Sequence, residues 1–283
     1  MNVLSIQSWV SYGYVGNEVA KFALQRLGHE VWSVPTVLYS NHPGHGSFRG
    51  RAASSSELAD LIEGLEECGV LGRCDSVISG YLGREQLAPL VNNIVKRVRR
   101  YNQKVLYCCD PVMGHEGRGL FVNEEVCGAM TQVLVPEADV ITPNMLELEV
   151  LSGCAINSLD ECIEACSAVC EMGPRIVVCT SLSLPNQDGE IATLMYTDDE
   201  AWMVVTPRLD GDLFGAGDLF TALLVAALMG DMSGKEALGR AVSGVFGILD
   251  ATSRSGRSEL ALIDAQECLI TPPYQFNVQP LNL

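Results

Sequence analysis

The sequence predicts an α/β protein in which a mostly parallel β-sheet lies between two layers of helices, a three-layer α/β/α sandwich. Short apolar segments typical of buried strands alternate with longer segments in which apolar residues recur at helical spacing. This alternation favours a parallel sheet, because parallel strands need long crossover connections and helices usually supply them. The 283 residues show no internal repeat, low-complexity tract or interdomain linker, so we expect one domain over residues 1–283.

The first half of the chain opens with an apolar run and then alternates as expected. Strands are predicted at 3–6, 30–34, 76–81 and 104–111, and helices at 17–27, 57–67 and 85–100. Two polar, glycine-containing stretches, 40–56 and 112–124, are predicted to be long loops. Long loops inside a compact protein are usually functional or mobile.

The second half of the chain continues the pattern and then departs from it. Strands are predicted at 140–144 and 175–180, and an acidic turn between 191–196 and 201–207 predicts a hairpin. Helices are predicted at 145–151, 158–171, 217–230, 235–252 and 258–269. The hairpin places antiparallel strands beside an otherwise parallel sheet.

The charge of the chain limits its partners. Lys and Arg number 18 against 35 Asp and Glu, a formal charge of −17, which repels nucleic acid and anionic membranes. The first residues, MNVLSIQSWV, lack the basic start and apolar core of a secretory signal, and no apolar run approaches the about 20 residues of a membrane span. We therefore expect a cytoplasmic protein with reduced thiols.

Cysteines recur at helical spacing in one segment. Cys162, Cys166 and Cys170 are four residues apart and are expected to share a helix face. A metal site there is conceivable, but no histidine or fourth thiol has a clear place in it. The favoured interpretation is that these are small buried side chains on a packing face.

Polar side chains stand where several predicted strands end. They are Ser8, Tyr81, Asp110, Asn144 and Thr180. In open parallel sheets, ligands bind in the crevice outside the carboxyl ends of the strands. We therefore expect these five residues to converge on one ligand-binding crevice.

The stretch Gly215-Ala216-Gly217-Asp218 precedes an apolar helix and has two interpretations. Small residues let the backbone approach a ligand, and the free N–H groups of a starting helix form an anion hole. Asp218 beside it could accept the proton of a hydroxyl that attacks a phosphoryl group. The alternative is a glycine-rich turn in which the aspartate is an ordinary N-cap.

Two further acidic residues lie near predicted strand ends. Asp110 follows one strand and Glu147 lies just after another. A nucleotide triphosphate needs Mg²⁺, which proteins hold through few carboxylates and several waters, so both residues are candidate magnesium ligands. Glu147 could instead be a carboxylate in the first turn of a helix, where the helix dipole favours it.

Six segments, in order over residues 5–224, carry a family resemblance. They are SIQSWVSYGYVGN (5–17), SNHPGHG (40–46), SGYLG (79–83), CDPVMGHEGRG (109–119), ITPNMLELEVLSG (141–153) and GAGDLFTALL (215–224). Together they resemble the pyridoxal kinases of the ribokinase-like superfamily, whereas GAGD alone is common to the superfamily. The resemblance implies ATP-dependent phosphorylation of the 5′-hydroxyl of pyridoxal, pyridoxine and pyridoxamine.

The resemblance also implies roles for individual residues. Asp218 matches the general base, and Gly215, Ala216 and Gly217 match the anion hole. The matched positions around the pyridine ring are Ser8, Pro43, Gly44 and Tyr81. The positions matched to ATP are Asp110, Thr142, Asn144, Glu147, Thr180, Thr206, Pro207, Arg208 and Leu209. Asp110 and Glu147 are the implied Mg²⁺ ligands, residues 112–124 resemble a flap over ATP, a homodimer is implied, and a monovalent cation such as K⁺ is a further candidate.

Three departures from the family pattern affect these expectations. Pro43 stands where many relatives carry threonine, so a hydroxyl and an N–H are lost and the backbone of Gly44 is the candidate replacement. Thr180 stands where some bacterial members have lysine, which bears on ATP affinity. The segment 207–217 is shorter than in some relatives, which predicts a more open nucleotide edge.

Other functions compete with this one. A hydroxymethylpyrimidine kinase of the same superfamily is a close alternative, but such kinases commonly carry cysteine where this chain has Asp218. A sugar kinase would need an N-terminal Gly-Gly signature and a lid of extra strands that this chain lacks. A non-catalytic vitamin B6 carrier or sensor is the alternative from another class, although a carrier has no need of a base beside a phosphate.

Overall fold

The protein is built around a central β-sheet. The computed structural model describes residues 1–183, 189–209, 211, 213–230 and 232–283. The strands are β1 (Asn2–Tyr12), β2 (Glu30–Asn41), β3 (Gly50–Ala52), β4 (Ser76–Ser79), β5 (Leu106–Cys109), β6 (Gly114–His115), β7 (Gly119–Leu120), β8 (Val140–Ile141), β9 (Ile176–Leu182), β10 (Glu190–Tyr196), β11 (Ala201–Pro207) and β12 (Val278–Leu281). The helices are α1 (Asn17–Arg26), α2 (Ser55–Glu67), α3 (Leu87–Tyr101), α4 (Glu124–Ala129), α5 (Met145–Ser152), α6 (Leu159–Cys170), α7 (Ala216–Leu228), α8 (Gly234–Ser255) and α9 (Glu267–Ile270).

The sheet is parallel at its centre and antiparallel at both edges. Its order is β12-β11-β10-β9-β8-β5-β4-β1-β2-β3. Strands β2, β1, β4, β5, β8 and β9 pair in parallel, whereas β3 at one edge and β10, β11 and β12 at the other are antiparallel. The predicted α/β class with a mostly parallel sheet is confirmed, and the predicted hairpin is β10–β11.

Two hydrophobic clusters cover the two faces of the sheet. Helices α2 to α6 pack on one face, and α1, α7, α8 and α9 pack on the other. Neighbouring residues of one strand divide between the clusters: Val77 and Cys109 face one side, Ile78 and Cys108 the other. Burying one such aliphatic side chain contributes about 1.5–3 kcal/mol. Because both faces are covered, the strands are continuous apolar runs, as parallel strands usually are.

The helix predicted over 258–269 is wrong for most of its length. The chain there forms turns, and only α9 is helical. Leu260, Ala261 and Leu262 are all buried in this segment. The backbone N–H of Ala261 donates to Thr252 Oγ1 (2.8 Å), so this segment is fixed by a side chain of α8.

Other elements were not expected from the sequence. Strand β3 and the start of α2 lie inside the predicted loop 40–56, and β6 and β7 pair inside the predicted loop 112–124. Helix α4 and strand β12 had no predicted counterpart. Strand β1 runs past the predicted end at residue 6, so Ser8 lies within the strand. The register of β1 with β2 is irregular between Gln7 and Trp9.

The cysteines and the helices answer two further expectations. All eleven cysteines are free thiols, and Cys162, Cys166 and Cys170 are buried on α6 against the core, as predicted. Within the described residues, no group of three or more His, Cys, Asp or Glu is arranged to hold a metal ion. None of the described helices is both long and apolar enough to cross a membrane.

Candidate functional site

The GAGD stretch forms the turn into α7. Gly215 has φ of +86°, and a Cβ on it would lie 1.9 Å from the carbonyl oxygen of Tyr14. Only glycine fits, both for its backbone conformation and for the close approach of the two chain segments. The first N–H groups of a helix have no intrahelical partner and suit an anion, although that of Ala216 donates to the carbonyl of Leu213 (3.4 Å).

Asp218 lies in the first turn of α7 and faces the loop after β1. Its Oδ2 accepts a hydrogen bond from the backbone N–H of Gly16 (2.9 Å), and its side chain is half-buried. Desolvation by the surrounding protein raises the pKa of Asp218 to about 6, and the Gly16 hydrogen bond opposes this increase. The hydrogen bond from Gly16 is a tertiary contact, so Asp218 is not the simple N-cap of the alternative interpretation. The N-cap of α7 is Gly215.

Asp110 is buried at the end of β5 and lies within the electrostatic reach of two other carboxylates. Burial raises its pKa well above the ordinary range, and the charges of Glu147 and Asp218 raise it further. Thr221, one turn after Asp218, donates to Asp110 Oδ2 at 3.4 Å, and the Thr221 hydroxyl lies 2.8 Å from that of Thr142. These contacts bring Asp110, Thr142 and the start of α7 together.

Glu147 accepts three hydrogen bonds from backbone N–H groups. Its Oε2 accepts from the N–H of Asn144 (2.9 Å), which completes a capping box at the start of α5. Its Oε1 accepts from the N–H groups of Met113 (2.8 Å) and Gly114 (3.3 Å). Burial raises the pKa of Glu147 to about 7, although these hydrogen bonds oppose the increase. Glu147 thereby joins α5 to the beginning of the glycine-rich loop.

The predicted nucleotide-binding residues lie along the neighbouring strands. Asn144 pairs with Thr180 in an isolated parallel bridge, and the Thr180 N–H donates to the carbonyl of Pro143 (2.8 Å). Thr206 and Pro207 end β11, and the N–H of Arg208 donates to the carbonyl of Gly189 (2.8 Å). Asp210 and Asp212, within the segment 207–217 predicted to be short, lie outside the described residues.

The turn that contains the predicted substrate-side residues Pro43 and Gly44 packs on Phe214, which the sequence analysis missed. Pro43 begins a turn of 3₁₀ helix in which the Gly44 N–H donates to His42 Nδ1 (3.1 Å), so the expected replacement donor already has a partner. The ring of His42 lies 4.1 Å from that of Phe214, and a Cβ on Gly44 would lie 2.2 Å from Phe214 Cζ. Burial and the charges of His45 and Arg118 lower the pKa of His42 to about 4.

The glycine-rich loop contacts this same group of aromatic side chains. The Arg118 guanidinium lies 4.9 Å from the centre of the Phe214 ring, and the Phe121 ring lies 6.4 Å from that of Tyr81. Burial raises the pKa of Tyr81. Phe214 directly precedes Gly215, and that position beside the GAGD stretch was the available signal for it.

The five strand-end residues lie on five neighbouring strands. Ser8 is on β1, Tyr81 follows β4, Asp110 follows β5, Asn144 follows β8 and Thr180 is on β9, and these strands are adjacent in the sheet. A Cβ on Gly16 would lie 2.2 Å from Ser8 Oγ, so Ser8 lies against the residue that binds Asp218. Thr221 and Gly16 are further residues of this group that the sequence analysis missed; the spacing of Thr221 from Asp218 was a usable signal.

Comparisons with known proteins show the family of this chain. A family model described as Phosphomethylpyrimidine kinase matches residues 71–261. A relative named Pyridoxal kinase PdxY from Rubrobacter xylanophilus is 44% identical, over 99% of this chain and 97% of its own length. One of the same name from Corynebacterium diphtheriae is 38% identical, over 99% and 100%. The chain belongs to the pyridoxal kinase family.

A solved structure supports the same placement. The pyridoxal kinase from Leishmania donovani in complex with ADP and pyridoxamine superposes with a TM-score of 0.94 at 32% identity, over 99% of both chains. The fold is therefore the ribokinase-like sandwich that the resemblance implied. The family model covers part of the chain and carries the name of a related kinase, whereas the named relatives match the full length.

Proposed function

We propose that this protein transfers the terminal phosphoryl group of ATP to the 5′-hydroxyl of pyridoxal, and also accepts pyridoxine and pyridoxamine. The observation that carries the proposal is the geometry of Asp218 in a pyridoxal kinase family member. Its carboxylate is half-buried in the first turn of α7, and its Oδ2 accepts a hydrogen bond from the N–H of Gly16. An acid with a pKa raised to about 6 is ionised at neutral pH and still basic enough to accept a hydroxyl proton.

In the proposed reaction, Asp218 accepts the proton of the 5′-hydroxyl as the hydroxyl oxygen attacks the terminal phosphorus of ATP. The bond from that phosphorus to the bridging oxygen breaks, and ADP leaves. The N–H groups of Gly215, Ala216 and Gly217 face the anion and stabilise charge on the transferring phosphoryl group. Because Gly215 lies against Tyr14 O, these donors are held in place before the substrate arrives. The proton, once taken from the hydroxyl, remains on Asp218 until the product leaves.

The residues present fit a magnesium ion beside Asp110. Asp110, Glu147 and Asp218 are carboxylates whose pKa values burial raises, and a cation would relieve their mutual repulsion. We propose that Asp110 holds Mg²⁺ directly or through water; Glu147, already bound to three N–H groups, contributes at most through water. Bound with ATP, the ion would neutralise phosphate charge. A monovalent cation such as K⁺ is a further proposed cofactor.

We propose that ATP lies along the ends of β8, β9 and β11. Thr142, Asn144 and Thr180 would face the phosphates, and the segment from Thr206 through Pro207 and Arg208 to Leu209 would lie near the adenine. The contacts of Ser183 support this placement. Its hydroxyl donates to Glu116 of the glycine-rich loop (3.0 Å) and accepts a hydrogen bond from the Arg208 guanidinium. The loop would thereby close over the nucleotide and exclude water, a competing nucleophile.

For the vitamer, we propose that the pyridine ring lies among Ser8, Tyr81 and the turn that contains Pro43 and Gly44. This turn packs on Phe214, directly before the anion hole, which supports the placement. We also propose a homodimer working in the cytoplasm, where eleven free thiols would stay reduced. One domain over residues 1–283 is supported by a single sheet that takes β1 and β12 from opposite ends of the chain.

A second candidate is a hydroxymethylpyrimidine kinase, which the name of the matching family model favours. The test is ADP release with Mg-ATP and, separately, pyridoxal, pyridoxine, pyridoxamine or hydroxymethylpyrimidine. We expect turnover with the vitamers, and a loss on the order of a hundredfold or more in the variant Asp218→Ala. Turnover confined to hydroxymethylpyrimidine would favour the second candidate, and pyridoxal binding with no ADP release would indicate a carrier.

A further inference from the structure

Glu259 connects two distant loops to the C-terminal part of the chain. It lies between α8 and α9, in the stretch where a helix was wrongly predicted, and its side chain is about one-tenth exposed. Its two carboxylate oxygens bind residues more than two hundred positions earlier in the sequence, in two different loops. Such contacts hold parts of the fold that secondary structure leaves unconnected.

The first oxygen fixes the loop that follows β1. Glu259 Oε2 accepts the backbone N–H of Tyr14 (2.9 Å). Gly13 has φ of +103°, and a Cβ on it would lie 2.5 Å from this same oxygen, so glycine is required where the carboxylate approaches. The carbonyl of Tyr14 lies against Gly215, and the next glycine, Gly16, donates to Asp218. The loop is therefore held between Glu259 and the GAGD turn.

The second oxygen fixes the turn that contains Pro43 and Gly44. Glu259 Oε1 lies 2.6 Å from His45 Nε2, and since a carboxylate only accepts, the ring donates from Nε2. The His45 ring also lies 5.8 Å from the ring of Phe214 and 6.0 Å from that of Tyr12. One carboxylate thus joins the loop after β1, whose Gly16 lies against Ser8, to the turn proposed to hold the pyridine ring.

We propose that Glu259 is a positioning residue for the vitamer, acting through His45 and Tyr14 without touching the reacting atoms. The proposal rests on the proposed function, because that function assigns Ser8 and the turn with Pro43 and Gly44 to the pyridine ring, and Gly16 of the loop after β1 lies against Ser8. The residues proposed to bind ATP lie outside both loops, although the loop after β1 also contacts the GAGD turn. Loss of Glu259 should therefore raise the KM for pyridoxal far more than the KM for ATP, and any further loss should be in kcat.

The test compares Glu259→Ala, Glu259→Gln, His45→Ala and the double variant His45→Ala/Glu259→Ala. We expect Glu259→Ala to raise the KM for pyridoxal about tenfold or more, the scale of a lost charge-assisted hydrogen bond, with the KM for ATP within about twofold. Glu259→Gln keeps an oxygen for the Tyr14 N–H and should give an intermediate KM. The double variant should match Glu259→Ala, since His45 acts through Glu259.

The matched control is Asp264→Ala, five residues along the same segment. Asp264 makes an exposed ion pair with Arg257 and should leave both KM values unchanged. An unchanged pyridoxal KM in a folded Glu259→Ala protein, equal changes in both KM values, or additive effects in the double variant would overturn the proposal. Should the wild type not phosphorylate pyridoxal, the proposed function fails separately, and the Kd of pyridoxal across the same variants carries the test, with the same outcomes.

Discussion

Asp218 and Glu147 are two acidic residues of the same site with different surroundings. Each lies in the first turn of a helix, and burial raises the pKa of each, to about 6 for Asp218 and about 7 for Glu147. Glu147 is almost fully buried and accepts from three backbone N–H groups, of Met113, Gly114 and Asn144. Asp218 is half-buried and accepts from the N–H of Gly16.

We propose that this difference separates a structural carboxylate, Glu147, from a reactive one, Asp218. A carboxylate whose oxygens are all bound by fixed donors has little capacity left to accept a proton from a substrate. A partly exposed carboxylate with a single fixed donor keeps an acceptor position that a hydroxyl can reach. A raised pKa alone therefore does not distinguish the two roles, whereas the count of hydrogen bonds does.

The largest expected effect is on turnover by Asp218→Asn. The amide cannot take the hydroxyl proton, so we expect kcat to fall on the order of a hundredfold or more. Because the variant removes a charge that burial disfavours, its melting temperature should be equal to or above that of the wild type. Steady-state ADP release and a thermal melt measure both. Near-normal kcat in this variant would remove Asp218 from the role of base.

The matching substitution Glu147→Gln should reverse that pattern. The NH2 group of the glutamine would lie opposite a backbone N–H, and two donors cannot form a hydrogen bond. We expect this to lower the free energy of unfolding by about 1–3 kcal/mol. The start of the glycine-rich loop would lose hydrogen bonds that hold it to α5. We therefore expect the KM for ATP to rise severalfold, while kcat falls far less than in Asp218→Asn. Denaturant unfolding and ATP titration check this. Equal losses of kcat in both variants would contradict the separation of roles.

The next expected effect concerns pH. Carboxyl groups with pKa values raised above those of the unfolded chain bind protons more tightly in the folded state, so they stabilise it most at low pH. This contribution is present below about pH 4 and is lost as pH rises through about 6 for Asp218 and about 7 for Glu147. We expect the ligand-free melting temperature to fall over this window in the wild type.

Two comparisons sharpen that measurement. In Glu147→Gln the decrease near pH 7 should be smaller, and Mg-ATP should restore stability in the wild type, because a cation offsets the carboxylate charges. The same pH slope in Glu147→Gln and the wild type would show that Glu147 does not titrate in this range.

The smallest expected effect comes from Thr221→Val. The hydroxyl of Thr221 donates to Asp110 at 3.4 Å, a long hydrogen bond, and lies 2.8 Å from the Thr142 hydroxyl. Valine keeps the shape, so we expect a change of only a fewfold in the apparent affinity for Mg²⁺ and little change in the KM for pyridoxal. Magnesium titration at fixed ATP is the measurement, and an effect as large as that of Asp218→Asn would be inconsistent with this minor role.

The sequence supported the local features of the fold better than the tertiary ones. The buried strands and amphipathic helices carry their own periodicity, so β1, β5 and α3 could be placed. The segment 258–269 could not, because its order comes from tertiary contacts such as the Ala261 hydrogen bond to Thr252. Strands β3 and β12 are short edge strands that depend on their partners and show no pattern of their own.

The candidate site followed the same rule. Asp218 and Asp110 were found because they stand at a helix start and at a strand end. The engagement of Glu147 with Met113 and Gly114 joins segments about thirty residues apart, and the contact of Glu259 with Tyr14 joins segments 245 residues apart. No local spacing contains such information.

The anchoring of Met113 and Gly114 by Glu147 has a consequence for how nucleotide would enter and leave. The base of the β6–β7 hairpin belongs to the same rigid body as α5, since Asn144 Nδ2 also donates to the carbonyl of Gly114 (2.9 Å). Side chains hold the tip, where Glu116 accepts from the Ser183 hydroxyl (3.0 Å) and the Arg118 guanidinium lies 4.9 Å from the centre of the Phe214 ring. Exchange of ADP for ATP would therefore need these side-chain contacts to break, while the base of the hairpin keeps its hydrogen bonds to α5.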